Sequence, residues 1–302
     1  MPLFKPLSMG VALALDLAAQ SPVPPPPPSI LGFALSGSAT LGSQYIFRGL
    51  TQTDGNPTVQ AELDLVHPSG FYLSTNLSNI SWFTDQNAGF ASAPVALGSP
   101  GAVGAPLYRP GKVNSAGVEL DLFGGYKCGF AKDWILHAGL YRYLYPGTYD
   151  NLGVFRNPAT TEAYLGLSYA WASLKCSRVL SGDAFGVRGG RGTTYAELSL
   201  ALPLGGSGWT ILLHGGRTTF PAKANPDFFF NGTVLTGDNA AFSYSDLRLG
   251  VSREVGGYIL TLAATDTNAR ARASDGEVPV YENAMGRNLG KSTLTFTAAK
   301  GF

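Results

Sequence analysis

The chain of 302 residues has few charged residues and no long apolar run. Asp, Glu, Lys and Arg make up only 14% of it, against about a quarter of an ordinary soluble domain, which is too few to coat a soluble globule of this size. After the N-terminal segment no stretch of about 18 uninterrupted apolar residues occurs, which excludes membrane-spanning helices. The remaining membrane architecture is a closed barrel, where alternating side chains hide the apolar residues from a hydropathy scan.

Residues that build catalytic or metal sites are also scarce. His67, His137 and His214 lack metal-ligand spacing to one another, to a cysteine or to a carboxylate, so no metal and no other cofactor is expected. The two cysteines, Cys128 and Cys176, are expected to be isolated thiols, although a bridge between them stays open. A net charge of +1 argues against a nucleic-acid partner. A serine hydrolase using a Ser and a His on adjacent strands is conceivable, but no nucleophile-elbow motif supports it, so we do not expect an enzyme.

The N-terminal segment predicts export. Lys5 precedes an apolar stretch from Met9 to Leu15 and then the small residues Ala18 and Ala19, which indicates a signal peptide over residues 1–20. A short buried helix is the alternative. The prolines of SPVPPPPPS at 21–29 predict an extended stretch that cannot enter a sheet. Residues 21–35 are predicted to form a proline-rich lead-in, and residues 36–302 the barrel.

The rest of the chain alternates between apolar and polar residues in segments separated by turn residues. Twelve strands are predicted, at residues 38–50, 57–67, 70–83, 116–127, 133–145, 161–170, 173–181, 193–203, 208–219, 243–253, 258–268 and 291–302. Short turns alternate with mostly long loops. We therefore predict an all-β fold, an antiparallel transmembrane β-barrel with short periplasmic turns and long extracellular loops.

Aromatic residues recur at the strand ends next to the short turns. Each has the parity of the apolar residues in its strand, which is typical of an outward girdle at the membrane interface. The alternative is a set of core aromatics in a soluble β-sandwich. Lys300 shares this parity and is expected to reach the headgroups with its long side chain. The predicted girdle consists of Phe71, Tyr126, Trp134, Tyr169, Trp209, Tyr258 and Phe302.

The other parity collects the charges. In the first predicted strand it places Gln44 and Arg48 inside, while Leu41, Tyr45 and Phe47 face out. Such charges either pair across the lumen and stiffen it or line a water-filled path that selects solutes. A twelve-stranded barrel leaves room only for a narrow channel. The candidates for the lumen and its selectivity are Arg48, Glu62, Asp64, Glu119, Asp121, Glu162, Glu197 and Arg248.

Several motifs run through the chain after the lead-in. They are FRG, TQT, PTVQ and HPSGFY between Tyr45 and Tyr72, ELDLFGGY at 119–126, TEAYLGLSY at 161–169, LGVSREVGG at 249–257 and TDTN at 265–268. In these the chain resembles the TorF family, proteobacterial outer-membrane proteins assigned as porins without an established substrate. The resemblance implies a Gram-negative outer membrane and no catalytic residues. The expected partners are outer-membrane lipid and lipopolysaccharide, the barrel-assembly machinery and a small hydrophilic solute.

The function expected from these observations is passive diffusion of small hydrophilic solutes through a narrow charged lumen. One alternative is a structural or surface-interaction barrel whose lumen is filled. An outer-membrane lipid hydrolase ranks behind both. Three segments depart from the family pattern, namely the loop at 85–114, PDFFFNG at 226–232 and the proline tract, so the resemblance does not name the solute.

Overall fold

The structure is a computed structural model that describes residues 29–86, 115–149, 157–225, 229–230, 233–234, 237–272 and 279–302. The predicted signal peptide and most of the proline-rich lead-in lie outside the described residues, as does most of the loop at 85–114. Within the described ranges, no helix combines the length and the apolar character that crossing a membrane would require.

Twelve antiparallel strands of the described chain close into a barrel. They are Phe33–Gly42 (β1), Thr58–Val66 (β2), Phe71–Asn79 (β3), Val118–Ala131 (β4), Trp134–Leu144 (β5), Thr160–Tyr169 (β6), Ala172–Val179 (β7), Thr194–Pro203 (β8), Trp209–Thr219 (β9), Tyr244–Val255 (β10), Tyr258–Thr267 (β11) and Thr293–Gly301 (β12). Each strand pairs with its neighbours in sequence, and β12 pairs with β1, so the barrel is closed. This confirms the predicted fold class.

The connections differ in length at the two ends of the barrel. At one end, here called the short-turn rim, residues 67–70, 132–133, 170–171, 204–208 and 256–257 join the strands. At the other, the long-loop rim, the connections span residues 43–57, 80–117, 145–159, 180–193, 220–243 and 268–292. The predicted alternation of short turns and long loops is therefore present.

The two faces of each strand differ in chemistry, as β2 shows. Val59 and Leu63 are exposed on the outer surface, whereas Glu62 and Asp64 on the opposite parity are buried inside. An apolar side chain exposed at every second position is stable only against an apolar surrounding, because water would not favour it. The barrel is thus apolar outside and polar inside.

The first strand departs from the prediction. It was expected at 38–50, but β1 begins at Phe33 and ends at Gly42. The predicted lead-in at 21–35 therefore contributes to the sheet, because Phe33–Leu35 belong to β1 and the short strand Ser29–Ile30 pairs with it.

After Gly42 the chain forms a small hairpin in which Phe47 pairs with Leu50. Arg48 (φ 47°) and Gly49 (φ 80°) form its two-residue turn, because both have the positive φ that such a turn requires. Residues 43–57, here called the inward loop, therefore leave the barrel wall.

The cysteines both lie on the outer surface of the barrel. Cys128 follows the end of the predicted strand at 116–127, but β4 extends to Ala131 and includes it. Cys176 lies on β7, and both thiols are free and exposed. The open alternative of a bridge between them is thus not realised.

Candidate functional site in the lumen

The inward loop crosses the lumen near the long-loop rim. The Tyr45 hydroxyl donates to Glu119 Oε1 on β4 (2.7 Å). The Tyr244 hydroxyl on β10 donates to the backbone carbonyl of Arg48 (2.8 Å). Because β4 and β10 stand on opposite sides of a twelve-stranded barrel, a segment that contacts both lies across its interior. Tyr45 and Phe47 therefore point inward, and the prediction that they face lipid is wrong.

Arg48 is the centre of this crossing. Its guanidinium makes two hydrogen bonds to Glu162 on β6, at 2.9 Å and 2.6 Å, and lies 4.4 Å from the centre of the Tyr195 ring. Both side chains of the pair are buried, with 8% and 2% of their surface exposed. Burial opposes charge on Arg48, but its interactions with Glu162, Tyr143 and Tyr195 together outweigh burial and raise the pKa of the guanidinium above its ordinary value. A two-pronged pair of this kind fixes the orientation of the loop.

Aromatic side chains pack around the inward loop. Phe47 contacts Tyr143 and Phe185 with ring centroids 5.6 Å and 5.7 Å apart. Phe185 comes from the connection 180–193, which also turns inward at this point. The buried core of the cluster is Ile80, Phe83, Ala116, Tyr143 and Tyr145, with Tyr45, Phe47, Trp82, Tyr141, Tyr149 and Phe185 packed against it. The long-loop half of the lumen therefore contains the main hydrophobic core.

Two acids of β4 lie beside this cluster. Glu119 and Asp121 both point inward and are buried. Tyr45 donates to Glu119, and Tyr141 donates to Asp121 Oδ2 at 3.0 Å. The tyrosine donors are neutral, whereas Glu162 accepts its hydrogen bonds from the charged Arg48. These two residues are thus the main acidic feature of the long-loop half.

A second polar group lies on β7–β10, on the wall that faces the lumen. Lys175 forms an ion pair with Glu197 across β7 and β8. The Tyr195 hydroxyl is 3.2 Å from both oxygens of Asp246. Cross-strand pairs of this kind stabilise a sheet while satisfying groups that face away from bulk water.

His214 lies within hydrogen-bond distance of Ser199, Tyr195 and Asp246 in the same region, with its Nε2 2.9 Å from the Tyr195 hydroxyl. Its Nδ1 is 2.8 Å from Ser199 Oγ, and its Nε2 is 3.1 Å from Asp246 Oδ1. The structure therefore brings together a serine, a histidine and an aspartate, the arrangement that the hydrolase alternative requires.

The backbone around Ser199 does not suit hydrolysis. Ser199 pairs with Ser173 on β7 and with His214 on β9, in the middle of β8. An acyl-transfer site needs backbone or side-chain donors aimed at a developing oxyanion, and the amides beside Ser199 lie in the sheet. The group also faces the lumen, away from the apolar outer surface. The arrangement therefore favours a hydrogen-bonded wall over a nucleophile.

The remaining lumen candidates lie on separate strands. Glu62 and Asp64 point inward from β2, and the Ser74 hydroxyl donates to Asp64. Arg248 points inward from β10, where its Nε has no hydrogen-bond partner within the described chain. All eight predicted lumen residues thus lie inside the barrel, Arg48 by way of the inward loop. Their role in selectivity stays a prediction.

The predicted girdle residues lie at the short-turn rim. Their side chains are exposed or half-buried, and neighbours contact one another: Phe71 and Tyr126 have ring centroids 5.1 Å apart, and Trp134 and Tyr169 4.8 Å apart. Lys300 lies over the Tyr258 ring, with Nζ 5.0 Å from its centroid. The predicted set is placed at this rim throughout, namely Phe71, Tyr126, Trp134, Tyr169, Trp209, Tyr258 and Phe302.

Sequence reasoning missed several residues that contact the predicted ones. Lys175 and Ser199 were not singled out as inward partners. The inward path of Tyr45 and Phe47 was missed because their alternation continues that of β1. The signal that could have revealed it is the Arg48–Gly49 pair, since glycine favours a turn with positive φ.

Comparison with family models gives one match. The model described as "Bacterial protein of unknown function (Gcw_chp)" covers residues 29–302. The chain belongs to the Gcw_chp family. The match spans every strand of the barrel, so the lumen of this Gcw_chp chain lies within it. The description gives no activity, and the resemblance to the TorF family stays a prediction.

Comparison with curated proteins finds no match for the Gcw_chp chain. Among solved structures, "KdgM porin" is similar, with a TM-score of 0.45, 6% identity, and 88% of this chain and 98% of that chain covered. The structure named as a NanC porin is similar with a TM-score of 0.39 and 8% identity, and the match covers 88% of this chain and 98% of that chain. A FadL homologue from Pseudomonas aeruginosa is similar with a TM-score of 0.40 and 14% identity, and the match covers 91% of this chain and 76% of that chain. No substrate follows from likeness at this level.

Proposed function

We propose that this protein is a bacterial outer-membrane barrel through which small hydrophilic solutes diffuse along a narrow, charged lumen. The observation that carries the proposal is the partition of side chains between the two faces of the closed barrel. Leucines and aromatics cover the outside, while carboxylates, arginine, lysine and hydroxyl groups lie inside. An apolar outside suits lipid and a polar inside suits water, as in the barrels of outer membranes.

The orientation follows from the rims. Short turns face the periplasm in bacterial barrels, and long loops face the exterior. The short-turn rim carries the predicted aromatic girdle, and the proposal places it at the periplasmic interface. The long-loop rim, with the inward loop just inside it, then faces the medium and meets incoming solute first.

The inward loop is the proposed constriction. It crosses the lumen and is fixed by the Arg48–Glu162 pair, by Tyr45 on Glu119 and by Tyr244 on its backbone. A solute that passes along the barrel must pass beside this loop and the acids next to it. Charged groups at such a point set which ions enter.

Planar-bilayer conductance tests the proposal. The purified protein is expected to conduct. The double variant R48Q/E162Q, which removes both charges together, is expected to conduct more because the inward loop loses its anchor. The matched control R272Q/E282Q removes an arginine–glutamate pair in the 268–292 connection and is expected to conduct as the unmodified protein does. Absence of conductance in all three proteins would refute the channel.

A second candidate function is a structural or surface-interaction barrel with a filled lumen. The observation that favours it is the hydrophobic core in the long-loop half, where the inward loop, Phe83 and Tyr145 pack together. This candidate predicts that R48Q/E162Q folds and inserts into bilayers but still does not conduct. The same recordings therefore separate the two functions.

A further inference from the structure

Three arginines stand on the outer surface of the barrel near the long-loop rim. Arg142 on β5, Arg178 on β7 and Arg217 on β9 all have the outward parity of their strands. Below them on the same parity lie apolar residues, for example Leu174 below Arg178. Each arginine therefore lies near the long-loop end of its outward row, and two residues beyond the arginines of β5 and β7 lies a leucine, Leu144 or Leu180. A long arginine side chain at this level can reach the headgroups.

The arginines form a row rather than a scatter. Arg142 pairs with Thr161 on β6, and Arg178 pairs with Ala163 two residues further along the same strand. On the other side, Arg178 pairs with Thr194 on β8, and Arg217 pairs with Ala196 two residues further along β8. One strand separates successive arginines, so their backbones are about 10 Å apart across the sheet.

Their neighbours leave these cations available. Arg142 donates to the Thr161 hydroxyl at 2.7 Å, and Arg217 donates to the Ser245 hydroxyl at 3.1 Å. Arg178 is exposed and forms no ion pair within the described chain. No carboxylate lies on the outward parity of the described strands β5–β9. The row therefore carries three positive charges without an acidic partner on these strands.

On other described strands, the outward residues near the long-loop rim include apolar and acidic side chains. On β1–β3 the outward positions near the same rim are Leu41, Val59 and Leu77, all exposed. Asp266 on β11 is an outward carboxylate, and it accepts a hydrogen bond from Ser292 at 2.6 Å. On the described strands, the outward arginines near this rim are therefore those of β5, β7 and β9, and other exposed cations, such as Arg270 and Lys291, lie in the connection 268–292.

An apolar groove of about 910 Å³ lies on the outer surface beside this row. Outward leucines of β8, β9, β10 and β12 form most of its wall, and Gly215 on β9 contributes no side chain. At its β11 side the wall includes the carboxylate of Asp266, which accepts a hydrogen bond from Ser292. The other lining residues are Ala264 and the lumen-facing His214, Arg248, Thr265 and Thr293. Arg217 stands two residues beyond Gly215 on the same strand, toward the long-loop rim. The surface therefore offers a cationic end and an apolar channel next to it. The leucines concerned are Leu198, Leu200, Leu213, Leu247, Leu249 and Leu294.

We propose that this face binds a phosphorylated glycolipid of the outer leaflet, with its phosphates on the arginine row and an acyl chain in the groove. Guanidinium groups pair with phosphate through two parallel hydrogen bonds, which makes arginine well suited to such a headgroup. The inference rests on the proposed placement in the outer membrane, with the long-loop rim outward. It adds a particular lipid site to that placement.

Native mass spectrometry of the folded, detergent-purified protein tests the site, with lipid A as the probe. The unmodified protein is expected to retain lipid A, and R142Q/R178Q/R217Q is expected to bind at least about tenfold more weakly, a loss of roughly 1.4 kcal/mol or more. G215L, which fills the groove without changing charge, is also expected to bind more weakly. R253Q at the opposite rim, where Arg253 lies over Trp209, is the control and is expected to bind normally.

Three results would overturn the inference. One is equal binding of lipid A by the unmodified protein and both test variants. Another is loss of a dimer, and not of lipid, in those variants, which would make a second copy of the chain the occupant. The third is complete displacement of lipid A by inorganic phosphate alone, which would assign the arginines to free anion. Since no step measures conductance, a protein that conducts but binds no lipid A refutes only this site.

Discussion

Some glycines on the lumenal face are required by the ring side chains opposite them. Gly166 on β6 pairs with His137 on β5, and a Cβ added at Gly166 would lie 2.1 Å from His137 Nε2. We expect Gly166→Ala to lower the free energy of unfolding by about 1–3 kcal/mol, because the buried ring has to move. Urea unfolding in detergent, followed by tryptophan fluorescence, measures this.

Two variants show whether the contact with the ring is the cause. Gly206→Ala, in the short turn between β8 and β9, adds a methyl group where no atom lies within 4 Å and is expected to be close to neutral. The double variant G166A/H137A should lose less free energy of unfolding than the two single variants lose in sum, because the alanine at 137 removes the ring that the methyl group at 166 would displace. Strictly additive losses would contradict this explanation.

The Arg48–Glu162 pair makes a different prediction, because both of its charges are buried. Glu162→Gln alone leaves a buried guanidinium without its counter-ion and is expected to cost about 3–5 kcal/mol. Adding Arg48→Gln removes the orphaned charge and should recover much of that loss. A double-mutant cycle by urea unfolding provides the measurement. If E162Q and R48Q/E162Q unfold at the same urea concentration, the loss in E162Q does not come from the unpaired charge of Arg48.

At the scale of the element, β12 joins the end of the barrel to its beginning. Gly37 on β1 and Phe302 exchange two backbone hydrogen bonds of 3.0 Å each, which continue the pairing of β12 with β1. The Phe302 ring lies against Gly37, since a Cβ added there would be 2.7 Å from the ring. The aromatic residue therefore covers the seam of the barrel as well as its rim.

Replacing Phe302 tests this role at the seam. Phe302→Ala keeps the backbone hydrogen bonds but removes the ring from Gly37, and we expect a loss of about 1 kcal/mol. Phe130→Ala is the matched control, because Phe130 is also an exposed rim aromatic but lies on β4, away from the seam. The folded fraction on unheated gels with increasing urea measures both. A larger loss for Phe130→Ala would show that the seam contact does not matter.

The elements were predictable to different degrees. Strands β2–β12 follow the predicted segments closely, because alternation and turn residues coincide at their ends. The prediction of the first strand was wrong because the alternation of apolar and polar residues continues through Tyr45 and Phe47 after β1 has ended at Gly42. Period two indicates extended backbone and does not say which sheet the backbone joins. Here the inward loop forms its own small hairpin, and only tertiary contacts such as Arg48 with Glu162 place it inside.

At the scale of the whole molecule, the sequence predicts which residues face the lumen but not which partners they contact there. Parity alone places Glu62, Asp64 and Glu119 on the inner face, because successive side chains of a strand point to opposite sides. The partners of these groups depend on the register between strands and on loops that fold back. The hydrogen bonds from Tyr45 to Glu119 and from Ser199 to His214 belong to this class, and no local pattern in the sequence specifies them.

The lumen differs in charge from the protein as a whole. The chain has a formal net charge of +1, yet among the buried or half-buried lumen-facing residues of the twelve strands together with Arg48, carboxylates outnumber arginines and lysines by seven to four. The carboxylates are Glu62, Asp64, Glu119, Asp121, Glu162, Glu197 and Asp246, and the bases are Arg48, Lys127, Lys175 and Arg248. A path lined mainly by acids raises the local concentration of cations.

If the barrel conducts, we therefore expect it to prefer cations. The reversal potential across a bilayer with a potassium chloride gradient measures this preference. E119Q/D121N is expected to shift the reversal potential toward zero, because these acids lie beside the proposed constriction, where they accept hydrogen bonds from Tyr45 and Tyr141. The control D266N neutralises a carboxylate on the outer surface and should leave the potential unchanged. A preference for anions in the unmodified protein, or equal shifts in both variants, would show that the lumenal acids do not select the solute.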